Sequence, residues 1–130
     1  MKLAICGSRT FIFEHETILD LVGVFYPGVK EDIIMKFFTE IVSGGAKGID
    51  SSAKILAEFL DVKFKCFPAD WDKHGNSAGP IRNKEIADYS DELLLIWDGK
   101  SPGSKNVKDQ FLKQKKKVWE IIIQGKSYEK

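Results

Sequence analysis

Four stretches of this chain carry residue types suited to holding a phosphorylated ligand, and each follows a short apolar run. They read Gly7-Ser8-Arg9-Thr10-Phe11, Ser43-Gly44-Gly45-Ala46-Lys47-Gly48-Ile49-Asp50, Pro68-Ala69-Asp70-Trp71 and Asp98-Gly99-Lys100-Ser101-Pro102-Gly103-Ser104. In the second, three glycines let backbone N–H groups cradle a phosphate with no Cβ in the way. A helix starting near Ile49 would add unpaired N–H groups and the positive end of its dipole. The spacing is neither a dinucleotide GxGxxG fingerprint nor a Walker loop, so neither NAD-type hydride transfer nor ATP hydrolysis follows. A tight strand-to-helix turn is the plain reading of one Gly-Gly pair, and four such stretches together favour a ligand.

Charged and aromatic residues in these stretches each have two readings. Arg9 directly follows a buried run and either pairs with a phosphate in the crevice or is a surface arginine. Asp50 either caps the first helical turn or anchors its loop. Asp70 and Asp98 either accept ribose hydroxyls or only bond within their turns. Trp71 and Phe11 either stack on a base or pack against the protein. Gly79-Pro80 opens a helix that brings Arg82 and Asn83 to the same crevice. His74 is expected to be exposed and takes no role, and Lys113, Lys115, Lys116 and Lys117 read as a solvated helix end.

The elements that position these residues alternate. Apolar runs at 3–6, 40–42, 62–67, 93–97 and 118–123 predict strands, and segments 16–25, 49–60, 81–89 and 107–113 have helical period. In 49–60, Ala53, Leu56, Ala57 and Leu60 share one face. Segment 26–38 contains the helix-breaking Pro27-Gly28 and then a second short apolar stretch. Alternation of this kind predicts a Rossmann-like doubly wound α/β fold: about five mostly parallel strands with helices on both faces. Leu93-Leu94-Leu95-Ile96 is apolar on both sides, as a central strand should be, whereas 62–66 alternates like an edge strand. The first and fourth strands are therefore expected side by side at the centre. All four special stretches then lie beyond the carboxyl ends of strands, where such sheets bind ligands.

A chain of 130 residues suits one domain, taken here as 1–124 with a polar tail at 125–130. Net charge is +1, which gives no general attraction to DNA or to an anionic membrane. No apolar stretch is long enough to span a bilayer and no secretory signal is apparent, so a cytoplasmic protein is expected. Cys6 and Cys66 lie in apolar runs without metal-ligand neighbours, so no metal site is expected and both thiols are expected to be buried and reduced. Nothing points to a tightly bound cofactor.

Taken together, residues 6–11 (CGSRTF), 43–53 (SGGAKGIDSSA), 67–83 (FPADWDKHGNSAGPIRN) and 97–104 (WDGKSPGS) resemble the YspA-like branch of the SLOG superfamily, in the same order and across 3–118. The resemblance implies a Rossmann-like domain that binds nucleotides or nucleotide-derived signals, and it implies self-association. Phe37, Phe38 and Trp119 are candidates for a homo-oligomer surface. Relatives of this superfamily include cytokinin-activating phosphoribohydrolases, DNA-processing proteins and sensors of NAD-derived signals. Against the phosphoribohydrolase pattern, Gly44-Gly45 looks like the GG loop and Arg82 like the helical arginine. The third part departs, because no glutamate follows the turn at 98–106 and Ser104 stands where threonine is usual. Asn76 also stands where lysine is common in the YspA-like branch.

The leading expectation is a sensor or sequestering module for an ADP-ribose-like molecule or a nucleoside monophosphate. Gly44, Gly45, Gly48 and Gly103 would meet the phosphates, and Arg9 and Arg82 would neutralise them. The alternative is a nucleoside 5′-monophosphate phosphoribohydrolase with Arg82 orienting the phosphate and Asp98 as the acid. Single-stranded DNA binding comes third and is disfavoured by the neutral charge.

Overall fold

The structure is a computed structural model that describes residues 1–8, 20, 38–45 and 48–123. Its strands are β1 (Lys2–Gly7), β2 (Glu40–Ser43), β3 (Lys63–Cys66), β4 (Glu92–Trp97) and β5 (Lys117–Ile122). They form one sheet in the order β3-β2-β1-β4-β5 with every pairing parallel. β1 lies between β2 and β4, with Ala4 opposite Val42 on one side and Leu93 on the other. Its neighbours explain why it is apolar on both faces. The helices expected at 16–25 and in 26–38 lie outside the described residues, apart from Asp20, which is helical, and Phe38.

Side-chain alternation along the strands divides the core into two layers. Leu3 and Ile5 of β1 join Ile41, Leu94 and Ile96 beneath the apolar face of α1 (Ile49–Leu60), made by Ala53, Leu56, Ala57 and Leu60. Ala4 and Cys6 point the other way, with Val42, Leu93, Leu95 and Trp97. There they meet Ile86 and Ala87, and also Val107 and Phe111. These four come from α3 (Ala78–Tyr89) and α4 (Pro102–Lys113). Helices thus cover both faces, and the fold is Rossmann-like and doubly wound. Burying a side chain such as Phe111 contributes about 1.5–3 kcal/mol.

Between β3 and α3 the chain forms a four-residue helix, α2 (Trp71–His74), and a 3-10 turn at Gly75–Ser77. Where the sequence predicts helices from 81 and from 107, α3 begins at Ala78 and α4 at Pro102. At the other end of α3, Lys116 Nζ donates to the carbonyls of Ala87 at 2.5 Å and Ser90 at 2.8 Å, tying the helix end to the turn before β5. Among the described residues, no helix is long and apolar enough to cross a membrane.

Two expectations are corrected. Cys6 is buried but Cys66 is exposed, because β3 is an edge strand and Cys66 ends it. Phe38 is 1% exposed inside the α1 layer, so it does not belong to an oligomer surface.

Candidate functional site

Connections leave β1 and β4 toward opposite sides of the sheet, so the strand order reverses between them. Just beyond their carboxyl ends lies a cleft of about 250 Å³. It is lined by Cys6 and Gly7 of β1 and the following Ser8, by Asp50 of α1, by Arg82, Asn83 and Ile86 of α3, by Asp98 and Ser101 between β4 and α4, and by Gly103, Ser104 and Val107 of α4. A switch point is where a doubly wound sheet leaves room for a ligand.

The floor is made by a close approach of backbones. A Cβ on Gly7 would stand 1.9 Å from the Ile96 carbonyl oxygen, so only glycine fits there. Ser8 N–H donates to that same carbonyl at 3.0 Å, and Ser8 O accepts from Ile49 N–H at 3.2 Å. Ser8 is therefore pinned between β4 and the start of α1. Its hydroxyl is buried without a hydrogen-bond partner among the described residues, and burying an unsatisfied hydroxyl is costly unless something else meets it.

The described residues of the 43–50 loop support Arg82 and the start of α1. A Cβ on Gly44 would lie 2.2 Å from Arg82 Nη1, and Nη1 donates to Gly44 O at 2.9 Å. Gly44 thus gives the guanidinium room to lie against the backbone. Gly45 takes φ +74°, and a Cβ there would meet Cys66 Sγ at 2.6 Å. The buried Ser43 accepts from Gly45 N–H at 3.5 Å, and Gly48 is the N-cap of α1 at φ 79°. Asp50 is not the N-cap but sits in the first turn, 6% exposed. Of the described residues of this loop, Asp50 alone lines the cleft.

Opposite Arg82 is the start of α4. Ser101 is the N-cap without a side-chain bond to the helix, and Pro102 occupies the first position. The helical ladder begins with Lys105 N–H on Ser101 O at 3.0 Å, which leaves the N–H groups of Gly103 and Ser104 without partners among the described residues. A Cβ on Gly103 would have nothing within 4 Å. The helix therefore presents open N–H groups and its positive end to the cleft.

Asp98 shapes this edge. Its Oδ1 accepts from Lys100 N–H and Ser101 N–H, both at 2.9 Å, and these two bonds hold its carboxyl below the usual carboxylate range. At neutral pH it is an anion with no proton to give. Burial pushes the Cys6 thiol well up; the Asp50 charge adds to this, and Arg82 pulls the other way. Cys6 is accordingly a neutral wall of the cleft and no nucleophile.

The remaining expected residues lie elsewhere. Asp70 accepts from Lys73 N–H at 3.1 Å as the cap of α2, and Trp71 is half exposed beside Gly79. Gly99 holds the turn after β4 at φ +80°. These four do not line the cleft. Arg9, Thr10, Phe11 and Ala46 lie outside the described residues. Sequence reasoning missed Cys6, Ile86 and Val107 as cleft residues, since apolar residues on core faces give no local sign that they border a ligand. Among the described residues, no three His, Cys, Asp or Glu side chains come together as a metal site requires. No protein-family model and no curated protein matches this chain.

Proposed function

We propose that this cleft binds the phosphate of a nucleotide-type ligand and holds it without turnover. The observation that carries the reading is the convergence of Arg82 with the open N terminus of α4. A guanidinium and unpaired helix N–H groups facing one space form an anion site. The Ser8 hydroxyl, buried without a partner among the described residues, supports it. A cleft of about 250 Å³ accommodates a phosphate and its sugar, with the base lying toward the rim. In this reading the stacking surface for the base is the exposed Trp71 ring, which lies outside the cleft lining, next to Gly79 on the turn of α3 before Arg82. Asp50 and Asp98 provide acceptors for sugar hydroxyls. The sequence resemblance extends the reading to SLOG membership and self-association, and a cytoplasmic setting is proposed from the sequence having no apparent secretory signal.

Binding is favoured over phosphoribohydrolase chemistry because Asp98 is ionised, so it has no proton to donate to a leaving base, and two backbone N–H groups hold its Oδ1 in the turn, leaving Oδ2 as the acceptor. N-glycosidic cleavage needs a proton donor or a carboxylate directed at the anomeric carbon. The test is mass spectrometry of small molecules released by denaturing the purified protein, followed by calorimetry with AMP and ADP-ribose on wild type and Arg82→Gln. A phosphorylated nucleoside should be recovered, and Arg82→Gln should weaken its binding. If none is recovered and no phosphorylated nucleotide raises the melting temperature, the reading fails.

A further inference from the structure

Asn83 lines the cleft, yet its side chain is spent on the protein. Oδ1 accepts from Arg82 Nε–H at 3.0 Å. Nδ2 donates to Gly103 O at 3.3 Å and to Asn106 Oδ1 at 3.0 Å. An amide has two N–H donors, so both have partners, and the residue is only 5% exposed. Its backbone belongs to α3, its donors grip the first two turns of α4, and its acceptor holds the guanidinium. With Gly44 O on Nη1, Arg82 is fixed at two points, and its Nη2 makes no bond to the described residues.

We infer that Asn83 is a positioning residue: it sets the Arg82 guanidinium against the start of α4, so that both address one anion, and does not itself touch the ligand. This rests on the phosphate reading above. The geometry explains why an asparagine suits the place. The site needs an acceptor toward Arg82 and two donors toward α4, without a charge. Aspartate would supply the acceptor but lose both donors. It would also place an anion against the guanidinium, neutralising the charge meant for the phosphate.

A double-mutant cycle tests the inference with AMP as the probe, using wild type, Asn83→Ala, Arg82→Gln and the double variant. Asn83→Ala should weaken AMP binding roughly tenfold, the scale on which losing an orienting partner acts. In the Arg82→Gln background the same change should cost almost nothing. Additive losses would mean that Asn83 acts on the ligand by another route, and would overturn the inference while leaving the phosphate site standing. If Arg82→Gln leaves AMP binding unchanged, the phosphate reading and this inference both fall. A second readout needs no ligand: the Arg82 Nε–H NMR signal should exchange slowly with water in wild type and much faster in Asn83→Ala. Equal exchange in the two would overturn the inference. Asn83→Asp guards against misfolding of the alanine variant. It should bind AMP more weakly than wild type, and wild-type affinity there would also overturn the inference.

Discussion

Gly7, Gly44 and Gly103 all border the cleft or support it, yet a methyl group meets three different surroundings at these positions. At Gly7 it would collide with the Ile96 carbonyl at 1.9 Å, a backbone atom that cannot move alone. Gly7→Ala should therefore cost about 3 kcal/mol or more in urea unfolding. At Gly44 it would displace the Arg82 guanidinium, the far end of a flexible side chain. Gly44→Ala should cost only about 1 kcal/mol of stability but lower AMP affinity about tenfold, as loss of an orienting contact does. At Gly103 it would enter open space. Gly103→Ala should leave stability unchanged or raise it by up to about 1 kcal/mol, while crowding the ligand and weakening its binding. The cysteines form a second contrast. Ellman's reagent should modify exposed Cys66 in the native protein and reach buried Cys6 only after denaturation. Burial raises the Cys6 pKa above its ordinary value of 9.0, so the unfolded chain loses that proton first. The contribution of Cys6 to stability is complete below that value and falls as pH rises past it. Cys6→Ala should melt below wild type at neutral pH, because it also leaves a gap in the core, and the difference between the two curves should change only in alkaline buffer, where wild type alone loses the Cys6 contribution. The glycines were legible as special positions in the sequence, but the neighbours that make them special were not. Gly44 and Arg82 are 38 residues apart, and no local pattern announces that contact.

At the scale of elements, strand identities were legible because burial on one or two faces leaves a direct mark on the apolar pattern. The both-sided apolar run 93–96 marked a central strand, and alternation at 62–66 marked an edge. Helix starts were less legible. Apolar periodicity appears only once a helix meets the core at Val107, whereas α4 begins at Pro102. The missed signal was Ser101-Pro102, an N-cap residue followed by proline at the first helical position. The difference is functional, since it turns Gly103 and Ser104 from turn residues into the open end of a helix. Elements away from the cleft provide a control. Lys116→Met removes two charge-assisted bonds to the end of α3 and should lower stability by about 1–2 kcal/mol in urea titration. AMP affinity should stay at the wild-type value, because this end of α3 is opposite the cleft.

Over the whole molecule, the sheet order sets the switch point, and the switch point sets where a ligand can lie. β1 and β4 lie side by side because both are apolar on both faces, and the chain leaves them in opposite directions. The opening this creates receives Ser8 from one strand and the start of α4 from the other. α3 crosses to deliver Arg82, and Asn83 fastens it to α4. The 43–50 loop attracts notice for its glycines, yet Gly44 matters here because it lets Arg82 approach. The most direct measurement is a pair of amide NMR titrations, one with AMP and one with adenosine, followed at Gly103 and Ser104. A phosphate seated between Arg82 and α4 predicts large shifts of both amides with AMP and small ones with adenosine. Equal shifts with both compounds, or none with AMP, would contradict a phosphate site at this switch point.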